Sequence, residues 1–198
     1  MSDIFFNVII LSILSYTAYY DIKYSDIYVF VPFSIVLVSI LHHFYFSIDF
    51  ILSFLSCFFM FVIGLFLYLV GGMGLGDAFI FASMGFYLSS MSRSILFLYL
   101  SLISFIPFLI VYVFYLSRKY SKQNVRYRFT LNGFFREIDV DDLREGMVLA
   151  SNRFWDGVTK KDIDQIRKKH SRVMIREGIP FAPSMFVSFF IMCLFNLA

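Results

Sequence analysis

Apolar residues run through this chain in long unbroken stretches, not at the three-and-four spacing of a soluble amphipathic helix. Six stretches stand out: Ile4 to Tyr20, Ile27 to Phe46, Phe50 to Val70, a shorter one from Asp77 to near Met91, Ser94 to Leu116, and a last from near Phe181 to the C-terminus. About 20 apolar residues in a helix cross a bilayer core of roughly 30 Å. Lipid offers no partner to a backbone N–H or C=O, so segments of this length are expected as helices. The stretch from 117 to 180 is different. Tyr127 to Leu131 and Val148 to Ala150 read as strands, Thr159-Lys160-Lys161-Asp162 fits a capping box opening a helix to about Lys169, and Arg172 to Arg176 reads as a returning strand. The expected fold class is an all-α integral membrane protein, six transmembrane helices with a small cytoplasmic α/β insertion between helices 5 and 6. Its domains are a five-helix membrane region over 1–116, a soluble insertion over 117–180 and a sixth transmembrane helix over 181–198.

Composition agrees with this pattern. Hydrophobic types make up 60% of the 198 residues and charged types 16%, against roughly a quarter charged in a soluble domain. That excludes a soluble globular protein, a disordered chain and a disulfide scaffold. The first apolar stretch is expected to stay in the mature protein, because Met1-Ser2-Asp3 lacks the basic start of a cleavable signal.

Charge position adds orientation. Of the 17 Lys and Arg, only Lys23 and Arg93 precede Arg118, and the other 15 lie between Arg118 and Arg176. By the positive-inside rule the insertion faces the cytoplasm, with both termini, the His42/His43 turn and the Ser92-Arg93 turn outside. The same alternation puts Asp21, closing the first helix, and Asp77, opening the fourth, at one cytoplasmic level. The basic insertion suits anionic membrane lipid as a partner. No nucleic-acid partner is expected, since no binding motif accompanies the charge.

Asp77 follows four glycines in six residues, Gly71-Gly72-Met73-Gly74-Leu75-Gly76, a backbone free to take positive φ and to approach other groups closely. The ordinary reading is a tight turn capped by Asp, a favoured helix cap. A second acid at matching depth argues for more than a cap.

Gly74-Leu75-Gly76-Asp77 resembles the GxGD motif of membrane-embedded aspartic proteases, among them the prepilin and preflagellin (archaellin) peptidases. Asp21-Ile22-Lys23-Tyr24-Ser25-Asp26-Ile27 is similar to the first catalytic motif of the type IV prepilin peptidases. Ala82-Ser83-Met84-Gly85 is similar to the small-residue pattern that follows GxGD there, and Ile179-Pro180-Phe181-Ala182-Pro183 resembles their PFxP motif at the start of a late helix. The resemblance implies Asp21 and Asp77 as the catalytic pair, with Gly74, Gly76, Pro180, Phe181 and Pro183 as backbone support. Two departures bear on substrate contacts: Tyr28 stands where bacterial members usually have Pro, and Phe79 where they have Lys. Bifunctional bacterial members also carry a zinc module with two CxxC pairs that serves N-methylation. Cys57 and Cys193 lie alone in separate apolar stretches, so the chain looks most like the archaeal peptidases that cleave without methylating, and no metal is expected.

Two carboxyls can hydrolyse a peptide bond without a cofactor, one taking a proton from water while the other gives one to the carbonyl or leaving amine. The helix dipole sets the pair apart: Asp77 starts a helix and Asp21 ends one, so Asp77 is expected to hold the negative charge and Asp21 the shared proton. The partners implied by the resemblance are pilin-like or archaellin precursors with a short basic leader before an apolar helix. Asp26, close to the pair, is a candidate for binding that leader, or simply a helix cap. Asp139, Asp141, Asp142 and Glu145 could attract it too, although charge runs usually only solvate. The alternative function is a small transporter or channel with Asp21 and Asp77 as proton or cation sites; it calls for further buried charge across the bilayer, which the sequence lacks.

Overall fold

The protein is described by a computed structural model covering residues 2–24, 27–70, 73–121, 126–130, 133–151 and 157–198. It divides into two compact units, Met1–Leu109 with Pro180–Ala198, and Ile110–Ile179. The first holds α1 (Ser2–Tyr24), α2 (Phe30–Phe46), α3 (Phe50–Val70), α4 (Leu75–Leu88), most of α5 (Met91–Ser121) and the C-terminal α7 (Ala182–Leu194).

Each of the six apolar stretches contains a helix. Three are long and apolar enough to cross a membrane, over Asp3–Lys23, Phe50–Leu69 and Met91–Lys119. The other three, α2, α4 and α7, are apolar but have 17, 14 and 13 residues. At 1.5 Å per residue they rise only about 20 to 26 Å, short of a core of roughly 30 Å. The bundle is apolar outside, with Phe33, Phe44, Phe58 and Phe66 exposed, while Ser39, His43, Ser53, Ser94 and Ser101 are fully buried. Water would favour the reverse, so lipid is the fitting solvent and the chain is a membrane protein.

α4 is the helix the others enclose. From Asp77 to Leu88 every residue except Phe79 is buried, and small residues make this possible. A Cβ on Gly64 of α3 would lie 2.8 Å from the Ala78 Cα, and one on Gly85 of α4 would lie 2.6 Å from the Ser56 carbonyl oxygen and 2.8 Å from the Met60 Cγ. Backbones pack this closely where lipid gives no hydrophobic drive between helices. α5 and α7 are joined by polar contacts, the Ser104 hydroxyl lying 3.1 Å from both the Ser184 carbonyl and the Ser188 hydroxyl.

The second unit is built on an antiparallel sheet of order β1-β2-β4-β3, made of β1 (Tyr127–Thr130), β2 (Gly133–Asp139), β3 (Val148–Leu149) and β4 (Arg172–Glu177). Ile138, Leu143, Val158, Ile163 and Ile175 form its core. The central strand β2 has no counterpart among the expected elements, because Arg136, Glu137 and Asp139 give it a polar look. Phe134 and Ile138, both buried, nevertheless fall on one face of a strand, and Asn132-Gly133 just before them is a turn signal in the sequence. α6 (Lys160–Arg167) opens as the sequence indicates. Asp162 accepts from the Thr159 backbone N–H at 2.9 Å and from its hydroxyl at 2.7 Å, and the helix ends at Arg167, short of Lys169.

Two outcomes are expected. Gly85→Val overpacks the α3–α4 contact and should lower the stability of the detergent-solubilised protein by about 1 to 3 kcal/mol, read as a fall in unfolding temperature. The Thr159 hydrogen bonds hold the Asp162 carboxyl below its ordinary value. Its support of α6 is therefore full above the unfolded carboxylate range and lost as pH falls through the folded value. Thr159→Ala should move the Asp162 midpoint back up in an NMR titration and fray α6 at a higher pH.

Candidate active site

Asp21 lies in the last turn of α1, and Asp77 in the first turn of α4, three residues after the N-cap Gly74. Both side chains are drawn into the bundle, each residue only 5% exposed. Asp21 is hydrogen-bonded to Ala182, and the neighbouring Phe181 ring lies against Phe81, one turn after Asp77 on α4. Two elements separated by more than fifty residues therefore bring their carboxyls to one buried place.

Backbone N–H groups hold each carboxyl. Asp77 Oδ2 accepts from the Gly74 N–H at 3.0 Å, the reach back from N3 to N-cap that a capping box uses. Capping accounts for that oxygen only: Asp77 Oδ1 is buried without a hydrogen-bond partner among the described residues. Asp21 Oδ2 accepts from the N–H of Ala182, the first residue of α7, at 3.0 Å. This removes the contrast from which charge was expected on Asp77 and the proton on Asp21. α1 continues to Tyr24, and Asp21 faces the start of another helix, so both carboxyls accept a backbone donor at a helix N-terminus.

The glycines act differently from the positive-φ turn their spacing suggests. Gly74 sits at φ −75° and ψ 159°, open to any residue, and Gly146 of the second unit is the only glycine with positive φ among the described residues. Gly76 is required by space, since a Cβ there would lie 2.9 Å from the Ile27 Cβ. Ile27 thus presses against the residue preceding Asp77. Gly71 and Gly72 lie outside the described residues.

The Pro180-Phe181-Ala182-Pro183 segment belongs to the same place. Pro180, Phe181 and Pro183 are all buried. The Phe181 ring packs 5.8 Å from Phe81, one turn after Asp77 on α4, and 4.7 Å from Phe105 of α5. Neither Phe105 nor the Ala182 donor is among the expected site residues. The motif marks the neighbourhood, but a backbone donor has no side-chain signature to read.

Other expected residues fall elsewhere. Asp26 lies outside the described residues. The Tyr28 hydroxyl is hydrogen-bonded to that of Tyr20, whereas Phe79 is exposed, its ring 5.7 Å from Phe61. Much of the acidic cluster is spent inside its own unit. Asp139 accepts from Arg172 at 2.9 Å, Asp141 lies 3.9 Å from Arg167, and Glu145 accepts from the Lys160 N–H at 3.1 Å. His42 pairs with Asp3 at 3.5 Å, at the start of α1 and about 27 Å along that helix from Asp21. Among the described residues no three His, Cys, Asp or Glu converge as a metal site.

Two buried carboxyls, each accepting a backbone N–H, are groups that can do acid–base chemistry on water and a carbonyl group when they share a proton. Comparison with known proteins adds one finding. The sequence model described as the type IV leader peptidase family matches residues 8–116, a little over half of the chain and inclusive of both aspartates. No curated protein and no solved structure matches the chain.

Gly76→Ala should cost more than Gly74→Ala, because only the first meets a packed neighbour closer than 3 Å. Unfolding temperatures of the two variants in one detergent check the order, and equal losses would contradict the packing reason.

Proposed function

Since the chain belongs to the type IV leader peptidase family, we propose that it is a membrane-embedded aspartic endopeptidase with Asp21 and Asp77 as its catalytic pair. The observation that carries this reading is the buried pair itself, two carboxyls from α1 and α4 that each accept a backbone N–H at 3.0 Å inside the bundle. In the reaction one carboxyl takes a proton from a water molecule as the water oxygen attacks the scissile carbonyl. The other protonates the developing oxyanion; as the resulting gem-diol collapses it takes a proton back from a hydroxyl while the first gives the water-derived proton to the leaving amine, so the pair returns to its starting state with one shared proton. No metal or organic cofactor enters this sequence.

The substrate is the leader of a type IV pilin-like or archaellin precursor, cut at the cytoplasmic membrane face where the basic leader meets the apolar segment. The 15 basic side chains between Arg118 and Arg176 support a cytoplasmic second unit, and with six crossings this puts both chain ends outside. In this arrangement α2, α4 and α7 complete the crossing despite their length, helped by local thinning of the bilayer. Gly74 and Gly76 shape the turn before Asp77, and Pro180, Phe181 and Pro183 shape the start of α7. Asp26, close to Asp21 in sequence, is the candidate for binding the basic leader. Cleavage proceeds without N-methylation: the two cysteines of this chain sit on separate helices, α3 and α7, and do not form the paired clusters of the bifunctional members. The transporter reading finds no comparable support, since the family is one of proteases.

Co-expression with a pilin-like precursor, followed by mass spectrometry of the precursor's new N-terminus, tests the proposal. Wild type should release the leader, and Asp21→Asn and Asp77→Asn should each slow release by about 10² to 10⁴-fold. A wild type that leaves such precursors uncut, or an Asn variant that cuts at the wild-type rate, overturns it.

A further inference from the structure

The first turn of α7 carries an unusual arrangement of donors. A helix start leaves its first N–H groups without partners inside the helix. Here the Ala182 N–H goes to Asp21 at 3.0 Å. Pro183 has no N–H, and the Ser184 N–H turns back to the Phe181 carbonyl at 3.0 Å, where the Ser184 hydroxyl also donates at 2.7 Å. Over these three residues the helix therefore presents one outward donor, and that donor is committed to one oxygen of a buried carboxyl.

The segment carrying it is held firmly. Phe181 is 4% exposed and lies between Phe81 of α4 and Phe105 of α5. Phe81 stands four residues after Asp77, on the same face of α4. One ring thus ties the start of α7 to the helix of the second aspartate, while the next backbone N–H ties it to the first.

We propose that the start of α7 is a positioning element of the carboxyl pair, the Ala182 backbone N–H fixing the rotation of the Asp21 carboxyl and the Phe181 ring holding that donor in register with Asp77. Pro183 contributes by having no N–H to compete for the same oxygen. Its bearing on catalysis rests on the reading of Asp21 and Asp77 as the catalytic pair; the positioning contact stands on geometry alone. Asp77 gains the matching restraint locally, from Gly74. Asp21 on a regular helix has no such loop, and the restraint comes from 161 residues away in sequence.

The test deletes the donor and nothing else. Replacing the Ala182 amide by an ester, through incorporation of lactic acid at position 182 of the full chain, removes the N–H and keeps the side chain. The first readout needs no substrate: difference infrared spectra of ¹³C-aspartate protein, with Asp21→Asn used to identify the Asp21 band, should show that band shifted in the ester variant. The second is cleavage of a synthetic precursor peptide with a basic leader and an apolar segment. kcat should fall on the order of 10- to 100-fold, the worth of one hydrogen bond to a charged group, with KM within about twofold. Phe181→Ala should shift the same band and lower kcat, with the helical circular dichroism of both variants retained. An Asp21 band unmoved by the ester overturns the proposal, as does a band shift with an unchanged kcat. If wild type leaves the peptide uncut, the peptidase reading fails, and the band still decides the positioning contact.

Discussion

Burying two carboxyl groups in an apolar bundle is the constraint on which this structure turns. An ionised carboxylate taken out of water costs several kcal/mol even after relaxation, and a second one beside it raises the cost. The protein answers with backbone donors. The Gly74 N–H reaches Asp77 and the Ala182 N–H reaches Asp21, each at 3.0 Å. A hydrogen bond to a charged group contributes about 1.5 to 3 kcal/mol, so these contacts offset part of the cost of burial. Both donors sit at helix starts, where N–H groups are free to be aimed.

The architecture of the bundle follows from that requirement. To bring Asp77 to α1, α4 has to be enclosed on nearly every side, and an enclosed helix must be approached closely. Gly64, Gly85 and Ala78 remove the side chains that would prevent this, and Gly76 does the same beside Ile27. The glycines around the site therefore serve proximity more than unusual backbone conformation. α7 closes the arrangement, fastened by Phe181 and by the serine contacts of Ser104 with Ser184 and Ser188.

The second unit follows ordinary soluble rules, and there the sequence reading was least complete. The capping box at Thr159 and Asp162 is legible because both partners are side chains three residues apart. β2 is harder to read: it is central and pairs on both edges, but its charged positions outnumber its buried ones and disguise its buried face. The acidic residues around it become structural once Arg172, Arg167 and the Lys160 N–H are seen beside them.

The amino-acid sequence by itself determined that the chain lives in lipid, that six apolar segments become helices, and that two aspartates stand out in a nearly charge-free region. These properties are written in side-chain type and period, which a one-dimensional pattern records. Only the tertiary structure decided how deep the carboxyls lie, that three of the helices are shorter than a bilayer core is thick, and that the start of α7 supplies the donor to Asp21. The reason is the same in each case. Burial depends on what packs around a residue, and a backbone N–H is identical at every position except proline until the fold aims it.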